Sequence, residues 1–319
     1  MRRLIAAVLA LVSVPALAQP VTVDSQLPPY VAGPGVSGSL KSMGSDTMNN
    51  LMAHWGEEFK RAYPNVKIEV EGKGSSSAPP ALIEGQVQFG PMSRPMKAKE
   101  MDDFEKKFGY KPTGLTVAID TLAIYVNKDC PLTEISIDQA AKVFSVSGPD
   151  MTWDQLGVKD AAYQGKPVSL YGRNSASGTY GYFKEHTLGG KDFKATVKEQ
   201  PGSSAVVQAV ANDPFAMGYS GLGYRTAGVR ALKVAPKTGQ AAVEASMETA
   251  YSGDYPIARA LLLYVNYDAK TGLDPLRAEF IKMIFSRNGQ EGVVKDGYFP
   301  VPAELAREEL KKVGIKASF

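Results

Sequence analysis

Apolar and polar positions along this chain follow two rhythms that exchange places from about residue 37 onward. "SGSLKSM" predicts a strand, and in "VKIEVEG" apolar and polar residues alternate, the spacing of a strand with one covered face. Between them Met48, Leu51, Met52, Trp55, Phe59 and Ala62 recur at intervals of three and four, a single apolar helix face that Pro64 ends. "SSSAPPALIEGQ" opens a short helix with prolines in its first turn, where a missing N–H costs least. "LTVAIDTLAIYVN" is apolar over a long run, as a strand covered on both faces is, and only Asp120 and Thr121 interrupt it. "VSLYGR", "SSAVVQAVAND" and "PFAMGYSGLGY" read as strand, helix and strand. "ARALLLYVN" is another buried strand, followed by helices near "DPLRAEFIKMIFS" and "PAELAREELKKVG". Such alternation predicts an α/β fold built mostly on parallel sheets.

The N-terminus departs from both rhythms. Arg2 and Arg3, an apolar stretch from Leu4 to about Val14 and the small-x-small site Ala16-Leu17-Ala18 form a secretory signal peptide over residues 1–18, with cleavage expected after Ala18. Its apolar part is too short to span a bilayer comfortably, and no later run approaches the roughly 18 apolar residues a span needs. No cysteine near the cleavage point offers an acyl anchor, so the mature protein is expected in the periplasm or secreted. Residues 19–36, rich in Pro and Gly and without periodicity, read as a flexible leader. Gly33-x-Gly35-x-x-Gly38 matches the dinucleotide fingerprint formally, but it has neither a strand before it nor a helix after it, so it carries no weight.

Composition narrows the classes. The chain has 319 residues, 44% of them hydrophobic and 22% charged, enough for two domains with sizeable cores. A net charge of +3 with no Lys/Arg run longer than two argues against a nucleic-acid partner. Cys130 is the only cysteine, so an intrachain disulfide is impossible and packing must supply the stability.

One chemical arrangement recurs: a strand, a Gly/Ser/Thr-rich turn, a helix. It appears as "GSDT" at Gly44, "GKGSSS" at Gly72, "RNSASGT" at Arg173 and, more loosely, "PGSSA" at Pro201. A helix start carries unpartnered backbone N–H groups and the positive end of the peptide dipoles. Ser, Thr or Asp can cap its own helix there, which accounts for any single turn. Alternatively an anion takes the place of the cap, and glycines let the backbone approach it closely. Several such turns in one α/β chain favour the anion, because in open parallel sheets they gather at the carboxyl ends of the strands. Arg173 adds a planar fork of donors suited to two oxygens of a tetrahedral anion. Ser175, Ser177 and Thr179 add hydroxyls, with the N–H groups of Ser177, Gly178 and Thr179 beneath them.

"GRNSASGTYGYF", Met43-Gly44-Ser45-Asp46-Thr47, "GKGSSSAPPAL" and the closing "KDGYFPVP" together resemble the phosphate-binding protein family of the bacterial phosphate ABC uptake system, PstS, from about Ser37 to the C-terminus. The resemblance implies a type II periplasmic-binding-protein fold, in which two α/β domains joined by hinge segments close over one phosphate. Domain one is expected over 37–126 and 258–319 and domain two over 127–257, with crossings near Asn127 and near Tyr255 to Ile257. The resemblance also implies that Thr47 and Met48 donate from the first loop, Ser75 from the second, and Arg173, Ser177, Gly178 and Thr179 from the third; the helix starts themselves add Ser45 beside the first loop and Ser203 at a fourth turn. One position departs from the family pattern. Where the better-known members carry an aspartate that accepts the proton of phosphate, this chain has Ser93-Arg94 in "FGPMSR". Phosphate near neutral pH keeps a proton that sulfate lacks, so an acceptor carboxylate decides between them. Asp120, costly to bury unpaired, is the expected substitute, its alternative being a cap or a pair with Arg94; Asp46 reads more simply as a cap of its own helix.

Catalytic signals are thin. His54 and His186 lie in predicted helices without metal spacing, and neither a nucleophile elbow nor a P-loop is present. The expectation is a non-enzymatic receptor, monomeric and without a cofactor, whose partners are inorganic phosphate and the permease subunits of a membrane ABC transporter. A receptor for another tetrahedral oxyanion, an extracellular adhesive or structural protein, and a phosphoester hydrolase are the alternatives.

Overall fold

The computed structural model describes residues 21–33 and 35–319; the expected signal peptide lies outside them. The first half of the chain forms β1 (Ser39–Met43), α1 (Asn49–Ala62), β2 (Lys67–Glu71), α2 (Ala78–Ile83), β3 (Phe89–Met92), α3 (Ala98–Phe108) and the long β4 (Thr113–Asn127). A middle section follows with β5 (Glu134–Ser136), α4 (Ile137–Phe144), β6 (Ser169–Arg173), α5 (Gly178–His186), β7 (Lys198–Gln200), α6 (Ser203–Asn212), β8 (Ala216–Gly221), β9 (Val229–Ala231), β10 (Lys233–Ala235) and α7 (Met247–Ser252). The chain returns through β11 (Ala258–Val265) and ends in α8 (Pro275–Ile284), α9 (Arg287–Lys295) and α10 (Ala303–Lys312).

The predicted periodicities account for these elements. The face of α1 that alternates by three and four is the one that is buried, through Leu51, Met52, Trp55 and Phe59, and the helix stops before Pro64. Ser75–Ser77 forms a single 3-10 turn that leads into α2, whose prolines occupy its start. From Leu122 to Asn127 every residue of β4 is buried, which explains its unbroken apolar run.

The strands are ordered β2-β1-β3-β11-β4-β8-β6-β7, with β9 also on β4. Parallel pairing, expected of most strands, lies in this sheet on its two flanks, β1 with β2 and β3 on one and β6 with β7 and β8 on the other; β5 and β10 pair in parallel apart from it. The two strands between the flanks run antiparallel, because β4 and β11 carry the chain out and back. β4 changes partner along its length: Thr113 to Thr121 pairs with β11, and Leu122 to Val126 pairs with β8. The cores divide at the same point. One gathers Leu51, Trp55 and Phe59 with Leu115, Val117, Ala118, Leu261, Phe280 and Tyr298. The other gathers Leu122, Ile124 and Val126 with Phe144, Trp153, Phe183, Tyr219 and Ile257.

The stretch expected to be a flexible leader is docked on the first of these lobes from Val23 onward. Leu27 is fully buried, Arg287 donates to the carbonyls of Ser25 and Leu27, and Asp24 accepts the Ala303 N–H at 2.9 Å at the start of α10. Its lack of periodicity is that of a segment held through isolated side chains.

Candidate functional site

The parallel flanks decide where the chemistry collects. With β1, β2 and β3 running the same way, the loops that leave their carboxyl ends lie on one edge: Gly44–Met48, Gly72–Ser77 and Ser93–Arg94. With β6, β7 and β8 likewise parallel, the loops at Asn174–Ser177, Pro201–Gly202 and Leu222–Tyr224 lie on the corresponding edge of the other lobe. The two edges face one another and are closed.

All four Gly/Ser turns meet there. The Gly74 N–H donates to Gly44 O at 2.7 Å within the first lobe, and the Ser76 N–H reaches across to Ala176 O at 3.1 Å. Gly74 has φ +99°, and a Cβ on it would stand 2.6 Å from Ala176 O, so both its conformation and the approach of the lobes require glycine. Thr47 Oγ1 and Thr179 Oγ1, from opposite lobes, are 2.9 Å apart. Gly178 lies so close to the facing loops that a Cβ would be 2.3 Å from Ser75 Oγ and 2.6 Å from Ser93 Oγ.

Ser45, Thr47, Ser75, Ser177 and Thr179, all expected at the site, are buried at this junction. Ser45 Oγ donates to Ser93 Oγ at 2.9 Å, and Ser75 Oγ accepts the Ser93 N–H at 3.0 Å, so Ser93 joins the first two loops. Ser177 caps α5, accepting the Thr179 N–H at 3.1 Å, which holds the helix start in place. Met48 contributes its side chain to the core of the first lobe, and its N–H closes a turn on Ser45 O at 3.2 Å.

Arg173 ends β6 and is 2% exposed. Its Nη1 donates to Ser203 Oγ at 2.6 Å and lies 3.2 Å from Asp46 Oδ2, and its Nη2 donates to Pro201 O at 3.2 Å. Its Nε has no partner among the described residues. Burial pulls this guanidinium below the usual arginine range, and the Asp46 carboxylate opposes the shift. Asp46, expected to cap its own helix, instead accepts the Ser203 N–H at 2.9 Å and so caps α6 of the other lobe. Tyr224 adds a second bridge, its OH donating to the carbonyls of Asp46 and Thr47, 3.1 Å from each.

Asp120 is fully buried, but its partner is Arg259, not Arg94. Arg259 donates to Asp120 Oδ2 through Nε at 3.0 Å and Nη2 at 2.7 Å, whereas Arg94 forms a fork on Glu100 at 2.8 and 2.7 Å. Burial raises the Asp120 carboxyl above the ordinary aspartate range, and the Arg259 charge works against that rise. Arg259 escaped sequence reasoning. Its signal was a pair of long apolar strands, each interrupted by one charge of opposite sign. His54 is half-exposed, 3.9 Å from Asp296, and His186 stacks on Tyr182 with ring centroids 3.8 Å apart, so both stand outside the junction.

Two α/β lobes, joined by paired strands and closing a cleft lined by helix starts, hydroxyls and a buried guanidinium, define a solute-binding protein of the kind that shuts on a small oxyanion. Comparison with known proteins agrees. Residues 31–288 match the family described as the PBP superfamily domain. The phosphate-binding protein PstS of Pseudomonas aeruginosa is 50% identical over 299 residues, covering 92% of this chain and 92% of its own length. A Clostridium perfringens protein assigned as a phosphate ABC transporter substrate-binding protein, solved with phosphate bound, superposes with a TM-score of 0.70 at 26% identity over 83% of this chain and 100% of its own. An ABC-type phosphate transport receptor from Vibrio cholerae, 21% identical, shares the fold with a TM-score of 0.65 over 82% of this chain and 100% of its own. The chain belongs to the PstS family within the PBP superfamily.

Proposed function

We propose that this chain captures inorganic phosphate between its lobes and delivers it to the permease subunits of a membrane ABC transporter. The observation that carries the reading is the convergence of Thr47, Ser75, Arg173 and Thr179 from separate loops of both lobes onto one buried junction. Ser45, Ser177 and Gly178 complete the donor set, with Met48 supplying backbone at the first helix start. The 50% identical relative is named as a phosphate-binding protein, which supports the ligand.

The lobes hinge where β4 changes partner, at Asp120 to Leu122, and where the chain returns at Ile257 to Arg259, upstream of the Asn127 crossing that the sequence suggests. Ligand stabilises the closed form because only closure lets donors from both edges reach one anion. The protein acts as a monomeric, exported receptor without catalysis of its own. No helix among the described residues is long and apolar enough to cross a membrane.

Calorimetric titration of ligand-stripped protein with phosphate, arsenate and sulfate tests the reading. Saturable binding of phosphate is expected, and its absence from folded protein rejects the proposal. A receptor for another tetrahedral oxyanion is the second reading, favoured by Ser93 at the place of the family aspartate. Tighter binding of sulfate than of phosphate would select it.

A further inference from the structure

Arg259 sits at the start of β11, where the register sets it directly opposite Asp120 of β4. That register depends on an irregularity. Leu262 faces Thr116 while Leu261 faces Ala118, so Val117 is an extra, unpaired residue on β4, and in an unbroken register, with Val117 opposite Leu261, Ile119 would stand opposite Arg259. The guanidinium, with a side chain 2% exposed, reaches in three directions. Two nitrogens hold Asp120 Oδ2, Nη1 donates to Ser93 O of the first lobe at 2.8 Å, and Nη2 donates to Thr179 Oγ1 of the second at 2.9 Å. The Tyr182 ring lies 5.5 Å from its centre.

We propose that Arg259 is a positioning residue for anion capture: by donating to Thr179 Oγ1 it fixes the direction of that hydroxyl's own proton, and Asp120 serves as its counter-ion. The inference rests on the anion-receptor reading above. A hydroxyl has one proton to give and lone pairs to receive with. Because an arginine keeps its protons at any ordinary pH, Thr179 Oγ1 is always the acceptor toward Arg259. Its own O–H is therefore directed to its other neighbour, which in the closed form is Thr47 Oγ1 at 2.9 Å, on the side where the two helix starts meet. An anion entering between Thr47 and Thr179 finds the proton of Thr179 already aimed at it, with no rotor freedom left to lose. Asp120 makes this arrangement possible, since a guanidinium buried without a counter-charge would be strongly disfavoured. Both contacting nitrogens hold Asp120 Oδ2, and its buried Oδ1 has no hydrogen-bond partner among the described residues.

The test separates this role from simple support of the fold. The double variant Asp120→Asn/Arg259→Gln replaces the ion pair with a neutral one of similar shape and should retain a melting temperature close to that of the unmodified protein, while phosphate binds about 10- to 100-fold more weakly, as expected for losing a charge-assisted hydrogen bond. In a Thr179→Val background the same double change should leave phosphate affinity unaltered, because the hydroxyl through which Arg259 acts is gone. Unchanged affinity in the double variant, or equal losses with and without the Thr179→Val change, overturns the proposal. If the double variant fails to fold, Thr179→Val alone must reproduce the 10- to 100-fold loss, and near-normal binding by it overturns the proposal. An unmodified protein that binds no phosphate would instead reject the receptor reading.

Discussion

Two buried arginines organise this molecule, and they were not equally visible. Arg173 closes the cleft from its rim, held by Asp46, whose side chain is 26% exposed. Arg259 works from the hinge, held by Asp120, whose side chain is 0% exposed. Both reach across the lobes, yet the solvent around their carboxylate partners differs, and with it what each pair contributes. A partly exposed carboxylate is screened and can be lost cheaply. A carboxylate sealed between strands must stay with its cation, since either charge alone would be stranded.

The largest expected effect follows from that contrast. Asp120→Ala leaves Arg259 buried without its counter-charge and should cost about 3–5 kcal/mol of folding stability, read from the urea midpoint. Asp46→Ala should cost less, about 1–2 kcal/mol, because what is lost is a helix cap and a partly solvated ion pair, and Arg173 keeps its contacts with Ser203 and Pro201. Equal losses from the two substitutions would erase the distinction between hinge and rim.

Arg173 could be read from the sequence because its surroundings are local signals. "GSDT", "GKGSSS", "RNSASGT" and "PGSSA" each announce a helix start by themselves, and parallel pairing of the flanking strands does the rest. Arg259 had no such neighbourhood. It falls inside "ARALLLYVN", an apolar run read only as a strand, and its partner lies in another run far away in the chain. What joins them is a register that turns on one extra residue, Val117, and no periodicity specifies where such a slip falls. The same limit explains Asp46. The sequence shows that it can cap a helix, but not that the helix it caps is α6 of the opposite lobe. The α/β class, the leading helix and the cleft loops were legible because each is encoded within a dozen residues. The point on β4 where its pairing partner changes and the antiparallel middle of the sheet were not, because both are matters of which strand lies beside which.

At the rim, Arg173→Ala should weaken phosphate binding by about 100-fold or more, the usual consequence of removing one partner from a desolvated charged set. Calorimetry measures it directly. Stability should change less than with Asp120→Ala, since the remaining Asp46 can turn to solvent. A loss of stability as large as that of the hinge variant would mean that Arg173 serves the fold more than the ligand.

Gly178→Ala sharpens the comparison by acting only when the lobes meet. Within its own lobe the change places alanine at the start of α5, where it is tolerated or mildly favourable. In the closed form the new Cβ would stand 2.3 Å from Ser75 Oγ. Overpacking of this kind costs about 1–3 kcal/mol, so phosphate affinity should fall about 10- to 100-fold while the melting temperature without ligand holds steady. A matching fall in both would show that the open form is strained as well.

The smallest effect is expected at Tyr224, whose hydroxyl ties the second lobe to the carbonyls of Asp46 and Thr47. Tyr224→Phe keeps the ring and removes this one bridge, worth about 0.5–1.5 kcal/mol. The bridge forms on closure and touches backbone, not ligand, so its loss should speed phosphate release several-fold and leave the rate of capture unchanged. Stopped-flow measurement of both rates separates the outcomes. Slower capture with unaltered release would place Tyr224 on the path of entry, and the rim would then govern how the anion arrives as well as how long it stays.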